Sequence, residues 1–417
     1  MPVDSGILQG VDSGINALIQ DRRDVEFGDA ILNLEPNAAP ITVLLGRLAK
    51  KSVHDPEFRW FEEDPIGHYV TLTTGFDSSA TSITVPDATI FYEDDVIKAT
   101  MVNSSGALVE EMMLVTAVNY STDTLTVTRA YGESTAQNFS GADSDHPIEI
   151  VTLGNLSAEG SRAPADRYNQ PTVLYNIVGI TKTPFSVTGT VDRSRQRANP
   201  QERARLQRTF GVKHRKEIEA KILWGERAEV RDGSGNIRRV PKGITSFIQS
   251  HKYDLGGTMD YVQLMELAQE IFRYGDQEKW AFCGPTFLTS VATLGLKHLE
   301  IGQSEERFGV KYNRLVTPHG DFLLVKHPMF QGPVWSRAAL VLDLGSANGE
   351  RRVQFRPLQN GGDTRLQLNI QLPDEDIVRD QYVTEAGVQV MQERTHALLF
   401  NAGLAKGTEE DAGDGED

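Results

Sequence analysis

A long, highly charged helix is the feature that most constrains this chain, and the sequence predicts it between Asn199 and Gly225. Asn199 suits the N-cap position, and Pro200 suits the first helical turn. The apolar positions that recur at helical spacing are Leu206, Phe210, Ile218 and Ile222. Because this stripe is thin and is surrounded by Arg, Lys and Glu, the helix can bury only a narrow strip against its own fold. The rest of its surface must face solvent, nucleic acid or other subunits.

Length and charge narrow the class of protein. The chain has 417 residues, 39% of them apolar, which is enough for two or three compact domains. Its net charge of -16 argues against a protein whose main role is to bind nucleic acid through a basic surface. Residues 406–417 form an acidic tail that we expect to be disordered. With no secretory signal and no apolar run near the ~20 residues that span a bilayer, we expect a soluble chain and no membrane partner.

Motifs that carry chemistry are missing from the sequence. There is no HExxH pair, no phosphate-binding glycine loop and no GxSxG nucleophile elbow. The single cysteine, Cys283, lies in an apolar run and is expected to be a buried structural thiol. His319 and His327 flank Asp321, but turn and strand-end roles are favoured over a metal site. We therefore expect a non-enzyme with no catalytic residues, no cofactor and no metal.

The order of elements predicts an α+β protein with an insertion. A polar arm and a short amphipathic helix come first, followed by the strand EFRWFE at residues 57–62. Residues 66–155 are rich in Val, Thr and Ile and contain regular turn signals, which favours a small antiparallel barrel or sandwich. A long strand region at residues 171–191 precedes the charged helix. Residues 255–345 then alternate helix and strand patterns, as in an α/β domain.

This arrangement resembles the major capsid proteins of tailed bacteriophages, which have the HK97-type fold, and in particular a subgroup with a β-rich insertion. Three segments carry the resemblance. The first is RDVEFGDAILNLEPNAAPITVLLGRLAKKSVHDPEFRWFEED, from Arg23 to Asp64. The second is EEMMLVTAVNYSTDTLTVTRAYGESTA, from Glu110 to Ala136, and the third is LSAEGSRAP, from Leu156 to Pro164.

The resemblance implies a division of the chain into the parts of that fold. It implies an N-terminal arm with its short helix, an extended hairpin called the E-loop, an inserted β-rich domain, a peripheral domain built on the long helix, an axial domain and a disordered tail. In the same order, these parts are residues 1–55; 56–65 with 156–190; 66–155; 191–254 with 346–405; 255–345; and 406–417.

The resemblance also implies a function and partners. We expect a virion protein that assembles in the host cytoplasm into hexamers and pentamers of an icosahedral shell around the genome. The implied partners are other copies of the chain, a portal protein, decoration proteins and packaged double-stranded DNA, bound without sequence specificity on the inner face. Some family members begin with a long helical scaffolding domain. No such domain is visible here, so we expect a separate scaffolding protein.

Eight residues are candidates for subunit contacts. Their positions in the hairpin or on the long helix are the reason for choosing them. They are Arg59, Trp60, Lys182, Phe185, Arg203, Arg208, Arg215 and Glu217. Glutamates interleaved with the basic residues of the helix favour intrahelical pairs and salt bridges between subunits over contacts with phosphate. Some family members cross-link a lysine to an asparagine, but nothing in this sequence assigns that chemistry to Lys182.

Three alternatives stay open at this point. An encapsulin-like compartment has the same fold, although the β-rich insertion and the N-terminal segment favour a phage protein. A hydrolase built on the α/β segment needs a nucleophile, a base and an acid, which the sequence does not show. A tail or fibre protein fits the small β-rich insertion but not the long helix.

Overall fold

The computed structural model describes residues 39–63, 67–157, 159–160, 170–193, 202–298, 305–307 and 310–403. The predicted helix cap at Asn199 and Pro200, the arm before residue 39 and the acidic tail lie outside these residues. The chain divides into two compact units, one formed by Phe61–Thr172 and the other by the rest of the chain.

Seven α-helices occur in the described residues, and the longest is the predicted charged helix. They are α1 (Pro40–Leu48), α2 (Gly189–Arg193), α3 (Glu202–Trp224), α4 (Ile244–Phe247), α5 (Tyr261–Ile271), α6 (Pro285–His298) and α7 (Gly332–Trp335). Single 3-10 turns lie at Ala88–Ile90 and Glu393–Thr395.

The strands of the first half of the chain are β1 (Glu57–Glu62), β2 (Tyr69–Leu72), β3 (Ser82–Thr84), β4 (Asp95–Val102), β5 (Leu108–Asn119), β6 (Thr124–Thr128), β7 (Ile148–Asn155), β8 (Thr172–Ile177) and β9 (Gly179–Thr188). Those that follow α3 are β10 (Ala228–Arg231), β11 (Ile237–Val240), β12 (Lys252–Asp254), β13 (Glu278–Cys283), β14 (Glu305–Arg307), β15 (Val310–Thr317), β16 (Gly320–Lys326), β17 (Ala339–Leu342), β18 (Ser346–Ala347), β19 (Glu350–Arg351), β20 (Val353–Pro357), β21 (Arg365–Gln367), β22 (Ile377–Val390) and β23 (Ala397–Phe400).

A seven-stranded mixed sheet organises the α/β part, in the order β12-β23-β17-β13-β16-β15-β14. Its central strand β13 is buried on both faces, as expected for a strand covered on two sides. Trp280 and Phe282 face a core shared with α1 and α3, while Ala281 and Cys283 face the core formed with α5 and α6. Burial raises the pKa of the Cys283 thiol. The expectation of a buried structural thiol is therefore confirmed.

The longest strand, β22, joins three neighbours in a four-stranded sheet. It pairs with β20 and β21, and it pairs with β9 from Ile377 opposite Thr188 to Ala386 opposite Gly179. This pairing corrects the expected hairpin, whose second limb was drawn to residue 190, because only β8 pairs with β1. The chain changes partner at Gly179, where a Cβ atom would lie 2.7 Å from Pro241 and 2.9 Å from the carbonyl oxygen of Arg239.

The smaller unit contains one six-stranded antiparallel sheet in the order β2-β7-β4-β5-β6-β3. Its buried face packs around three phenylalanines, Phe76, Phe91 and Phe139. In the described residues the edge strands β2 and β3 do not pair with each other, so of the expected barrel or sandwich the closed barrel is not formed. Regular alternation of apolar and polar residues along β6 and β7 accounts for its single buried face.

A buried ion pair holds the loops of this unit to its sheet. Arg129 donates to both carboxylate oxygens of Glu111, at 2.7 and 2.6 Å, and also to the carbonyl oxygens of Asp77, Ala80 and Gln137. Burial alone would raise the pKa of Glu111, but the hydrogen bonds from Arg129 and from two backbone amides lower it. A charged pair whose hydrogen bonds are all made in this way is costly to break.

Replacement of Arg129 by Met tests this pair. The variant removes the guanidinium that neutralises the buried Glu111 carboxylate and donates to three carbonyl groups, so we expect the free energy of unfolding of this unit to fall by about 3–5 kcal/mol. The loss is measured by chemical denaturation, with hydrogen exchange of residues 61–172 as the readout for this unit. The matched control is Lys98→Met, which removes the exposed pair with Glu110 and should cost about 0–1 kcal/mol.

Equal losses in the two variants would contradict this assignment. The pH dependence gives a second check, because the pKa of Glu111 is lower in the folded state than its ordinary value. Its contribution is present above pH 4.5, the ordinary value, and is lost as the pH falls through the lowered pKa.

Candidate functional site

The inner face of α3 packs on β9 and β22 through polar side chains as well as apolar ones. His214 is buried between two hydroxyls, with Nδ1 2.7 Å from Thr183 Oγ1 and Nε2 2.8 Å from Thr384 Oγ1. Lys221 Nζ donates to Thr181 Oγ1 at 2.7 Å. Burial lowers the pKa of both His214 and Lys221. The contact of α3 with the sheet therefore consists of the thin apolar stripe and of hydrogen bonds of His214 and Lys221 with threonine hydroxyls.

The first turn of α3 is held by a second ion pair. Arg203 donates from Nε and Nη2 to the two carboxylate oxygens of Asp380, at 2.8 and 2.7 Å. The amide of Asn369 also donates to Asp380, at 3.0 Å, and Tyr382 donates its hydroxyl to the carbonyl oxygen of Gln207. Burial alone would raise the pKa of Asp380. The hydrogen bonds that Asp380 accepts from Arg203 and, to a lesser extent, from Asn369 lower it. Arg203 therefore anchors α3 within its own subunit.

A third buried charge, Glu219, lies near the C-terminal end of α3 and caps the helix α1. The residue before α1 is Ala39, whose side chain cannot cap a helix. Glu219 supplies the acceptor from a distant part of the chain. Its Oε1 receives the amide of Ile41 at 2.9 Å, and its Oε2 receives the amide of Thr42 at 2.6 Å and the Thr42 hydroxyl. A carboxylate at a helix N-terminus is favourable because it faces unpaired amides and the positive end of the helix dipole.

Glu219 also contacts the end of the seven-stranded sheet. The Nε2 atom of His327 lies 2.9 Å from Glu219 Oε1, and both side chains are buried. The His327 ring lies 4.6 Å from Phe330, which in turn packs on Trp335 and Trp224. Glu219, α1 and the end of β16 therefore form one buried junction, which we call the Glu219 junction.

The structure separates the eight contact candidates into two groups. Trp60 stacks on Phe58 in the core, and Phe185 packs against Phe210 and Tyr382, so neither presents a surface to a neighbour. The expectation that these two contact another subunit is corrected, because the inward positions of β1 and β9 are used inside the subunit. Arg203 is likewise engaged with Asp380.

The other candidates keep their place at or near the surface. Arg59, Lys182, Arg208 and Arg215 are exposed in the described chain. Glu217 is half-buried and accepts a hydrogen bond from Thr183 Oγ1 at 2.6 Å. A contact role for these residues stays a prediction.

Exposed apolar side chains on the ribbon formed by β1 and β8 were not among the candidates. Phe61 is 70% exposed, and Val173 and Tyr175 on β8 are exposed as well. The sequence carried a signal for Phe61, because alternation in EFRWFE places Arg59 and Phe61 on the face opposite Phe58 and Trp60. A second exposed apolar row, Leu368, Ile370 and Leu372, follows β21.

Buried titratable groups in the α/β part serve the fold. Lys279 Nζ donates to the carbonyl oxygens of Ile271, Tyr274 and Thr395 at 2.7–2.8 Å, and burial lowers its pKa to about 8. Burial also lowers the pKa of His396 to about 3. Within the described residues no three His, Cys, Asp or Glu side chains are arranged to hold a metal ion. The helices that the structure describes include none with the length and apolar character needed to cross a membrane.

Comparison with known proteins decides the family. A family model described as SU10 major capsid protein matches residues 9–404, nearly the whole chain. The chain belongs to the SU10 major capsid protein family. This is a family of structural proteins, and the match confirms the resemblance to phage major capsid proteins and, with the observed order of elements, the HK97-type fold. No individually curated protein matches the sequence significantly.

Solved structures with a similar chain path include other capsids. The capsid of a native GTA particle is 9% identical, with 94% of this chain and 100% of that chain covered and a TM-score of 0.46. Mycobacterium phage Bobi is 8% identical, with 94% and 98% covered and a TM-score of 0.44. The SrpI encapsulin of Synechococcus elongatus PCC 7942 is 11% identical, with 57% and 78% covered and a TM-score of 0.41. Because these scores are below 0.5, the assignment rests on the family match.

Replacement of Glu219 by Gln tests the Glu219 junction. The amide nitrogen of Gln cannot accept the hydrogen bonds that Oε2 receives from Thr42, so α1 loses part of its cap. We expect the free energy of unfolding to fall by about 2–3 kcal/mol. Limited trypsin cleavage after Arg47 or Lys50 should also become faster in the unassembled protein. Thermal unfolding and mass spectrometry of the fragments measure the two effects.

Glu266→Gln is the matched control for that substitution. Glu266 is an exposed residue of α5, and its neutralisation should leave both measurements unchanged. If the two variants behave alike, Glu219 does not hold α1.

Proposed function

We propose that this phage major capsid protein assembles into hexamers and pentamers of an icosahedral shell that encloses double-stranded DNA. The observation that carries the proposal is the match of residues 9–404 to a major capsid protein family. Partners beyond other copies of the chain are a separate scaffolding protein, a portal protein and decoration proteins. Assembly takes place in the host cytoplasm, and no enzymatic step by this chain is involved.

The shape of the elements supports assembly through neighbours. The ribbon of β1 and β8 has two strands, and a two-stranded ribbon on its own is marginally stable in water. Its exposed apolar side chains are Phe61 on β1 and Val173 and Tyr175 on β8. Specific interfaces need about 800 Å² from each partner, and extended ribbons supply such area without a larger subunit core. Burial of these side chains by an adjacent subunit is thus the expected source of stability for the ribbon.

The same proposal assigns the parts of the chain. Residues 56–65 and 156–177 form the extended hairpin, with the boundary moved to β8 because β9 pairs with β22. The insertion is residues 66–155, which lie within the compact unit Phe61–Thr172. The peripheral domain contains α3 and the four-stranded sheet, and the axial domain contains the seven-stranded sheet.

Charge supports an outward orientation for the insertion. Residues 61–172 contain 17 Asp and Glu but 4 Lys and Arg, a net charge of -13 out of -16 for the whole chain. Packaged DNA is a dense polyanion that such a surface would repel. The remaining 305 residues are close to neutral, with 41 acidic and 38 basic residues, so they would repel DNA far less.

Electron microscopy of the protein produced together with its scaffolding protein tests the assembly proposal. The expected result is closed shells with five-fold and six-fold clusters of subunits. The proposal is wrong if the protein yields only stable monomers under these conditions and forms no capsomers. The yield of shells is then compared between the unmodified chain and the variant Phe61→Asp. This change should reduce the yield several-fold, because it places a charge among the exposed apolar side chains of the ribbon, while the monomer stays folded.

Deletion of the insertion tests its independence. Residues 68–153 are replaced by a short Gly-Ser linker, which removes most of the six-stranded sheet and its separate core. The rest of the chain should keep its circular dichroism and cooperative unfolding, because its two cores contain no residue of that segment. Loss of all soluble, folded protein would contradict an inserted domain.

A further inference from the structure

Opposite charges are concentrated in two separate parts of this chain. The compact unit Phe61–Thr172, which contains the insertion, has the net charge of -13 described above. The 51 residues from Glu202 to Lys252, which contain α3 and the hairpin of β10 and β11, hold 13 Lys and Arg but 6 Asp and Glu, a net charge of +7. The overall charge of -16 hides this separation. Each part carries an exposed face that combines charge with apolar side chains.

The basic face lies on the hairpin of β10 and β11. In the antiparallel register Val230 is opposite Arg238, and Ala228 is opposite Val240, so these side chains share one face. Val230 is 60% exposed and Val240 is exposed too. The Arg238 side chain is 75% exposed, with Asp232 at 3.6 Å as its ion-pair partner. We call Val230, Arg238 and Val240 the hairpin face.

The acidic face lies on the outer side of the insertion sheet. Val102 is opposite Leu108 at the end of β4 and β5, and Leu108 is 60% exposed. One row further, Thr100 on β4 is opposite Glu110 on β5 and opposite Glu149 on β7. Both carboxylates are therefore one row away from the apolar pair, on the same side of the sheet. Lys98, two residues before Thr100 on β4, lies on this side too and pairs with Glu110 at 2.9 Å, so Glu149 supplies the remaining negative charge. We call Val102, Leu108, Glu110 and Glu149 the insertion face.

We propose that the hairpin face of one copy docks on the insertion face of a neighbouring copy in the shell. This rests on the proposed function, since it requires assembled subunits. The carboxylate of Glu149 faces the guanidinium of Arg238, with two exposed apolar side chains on each side. Such a contact joins apolar burial with charges of opposite sign, and the charges set its register and the rate of encounter.

Packaged DNA is the competing occupant of the hairpin face, and two features favour a protein. Val230 and Val240 have no apolar partner on a phosphate backbone. Glu229 and Asp232 lie on the same hairpin, where Glu229 pairs with Arg239 at 2.8 Å, and they would repel phosphate. A surface of mixed charge with exposed valines is typical of protein contacts.

Cross-linking between two single-cysteine variants tests the proposal. Chains with Leu108→Cys and chains with Val230→Cys are assembled together in equal amounts, and the shells are oxidised with diamide. The natural Cys283 is buried, so it gives a low background. We expect a disulfide-linked dimer that contains one chain of each kind, formed in shells and absent from unassembled subunits. Mass spectrometry identifies the linked peptides.

The matched control pairs Leu108→Cys with Val262→Cys, an exposed residue of α5 that should give no mixed dimer. Shells that form without the mixed dimer of the test pair would overturn the docking proposal and leave the proposed function intact. A failure of the unmodified protein to form shells at all would instead refute the proposed function.

Charge reversal supplies an independent test. Arg238→Glu should slow assembly at low salt by roughly three- to ten-fold, since it removes the complementary charge. Glu149→Lys should do the same, and the combination of Glu149→Lys with Arg238→Glu should restore much of the rate. Glu133→Lys, an exposed position of the insertion outside its strands, is the control. If Arg238→Glu weakens DNA binding by the subunit and leaves assembly unchanged, the hairpin face is a DNA contact and the proposal is wrong.

Discussion

The buried carboxylate of Glu219 is the interaction on which the larger unit of this protein most depends. It accepts hydrogen bonds from Ile41 and Thr42 at the start of α1, and it contacts His327 at the end of β16. Three segments distant in sequence therefore meet at one charge that is shielded from water. A charge of this kind is stabilising only while its partners stay in place, so the junction fixes the position of α1 on the subunit.

The polar character of α3 follows from what the helix packs against. A helix on an ordinary core needs a wide apolar face, but α3 meets β9 and β22 through threonine hydroxyls as well as aliphatic side chains. His214 and Lys221 bind those hydroxyls directly. At Gly211 a Cβ atom would lie 3.2 Å from the Tyr382 hydroxyl, so the absence of a side chain permits close approach. Other charged side chains of α3, such as Arg208 and Arg215, are exposed to solvent.

Sequence patterns predicted most elements of this fold, because strands and helices here follow regular apolar spacing. The long helix, the buried strand β13, the hairpin at β10 and β11 and the β-rich insertion were all expected. What the patterns could not show was pairing across long separations. Glu219 looked like one of several surface glutamates, and its role depends on α1, 178 residues away. Position in the hairpin alone could not show that Trp60 and Phe185 point inward, because aromatic side chains suit both cores and interfaces.

The exposed apolar side chains of the ribbon have a consequence for how such a subunit behaves before it meets others. In the assembly proposed above, Phe61 and the exposed side chains of β8 remain in water until another chain covers them, and each single contact of this size is weak. By mass action, the fraction of subunits in contact then depends on their concentration. In closed rings and shells each subunit makes several contacts at once, so the association is stronger than any single contact. The subunit can therefore stay dispersed when it is scarce and convert sharply to large particles above a threshold. The concentration of the subunit would then determine when assembly begins.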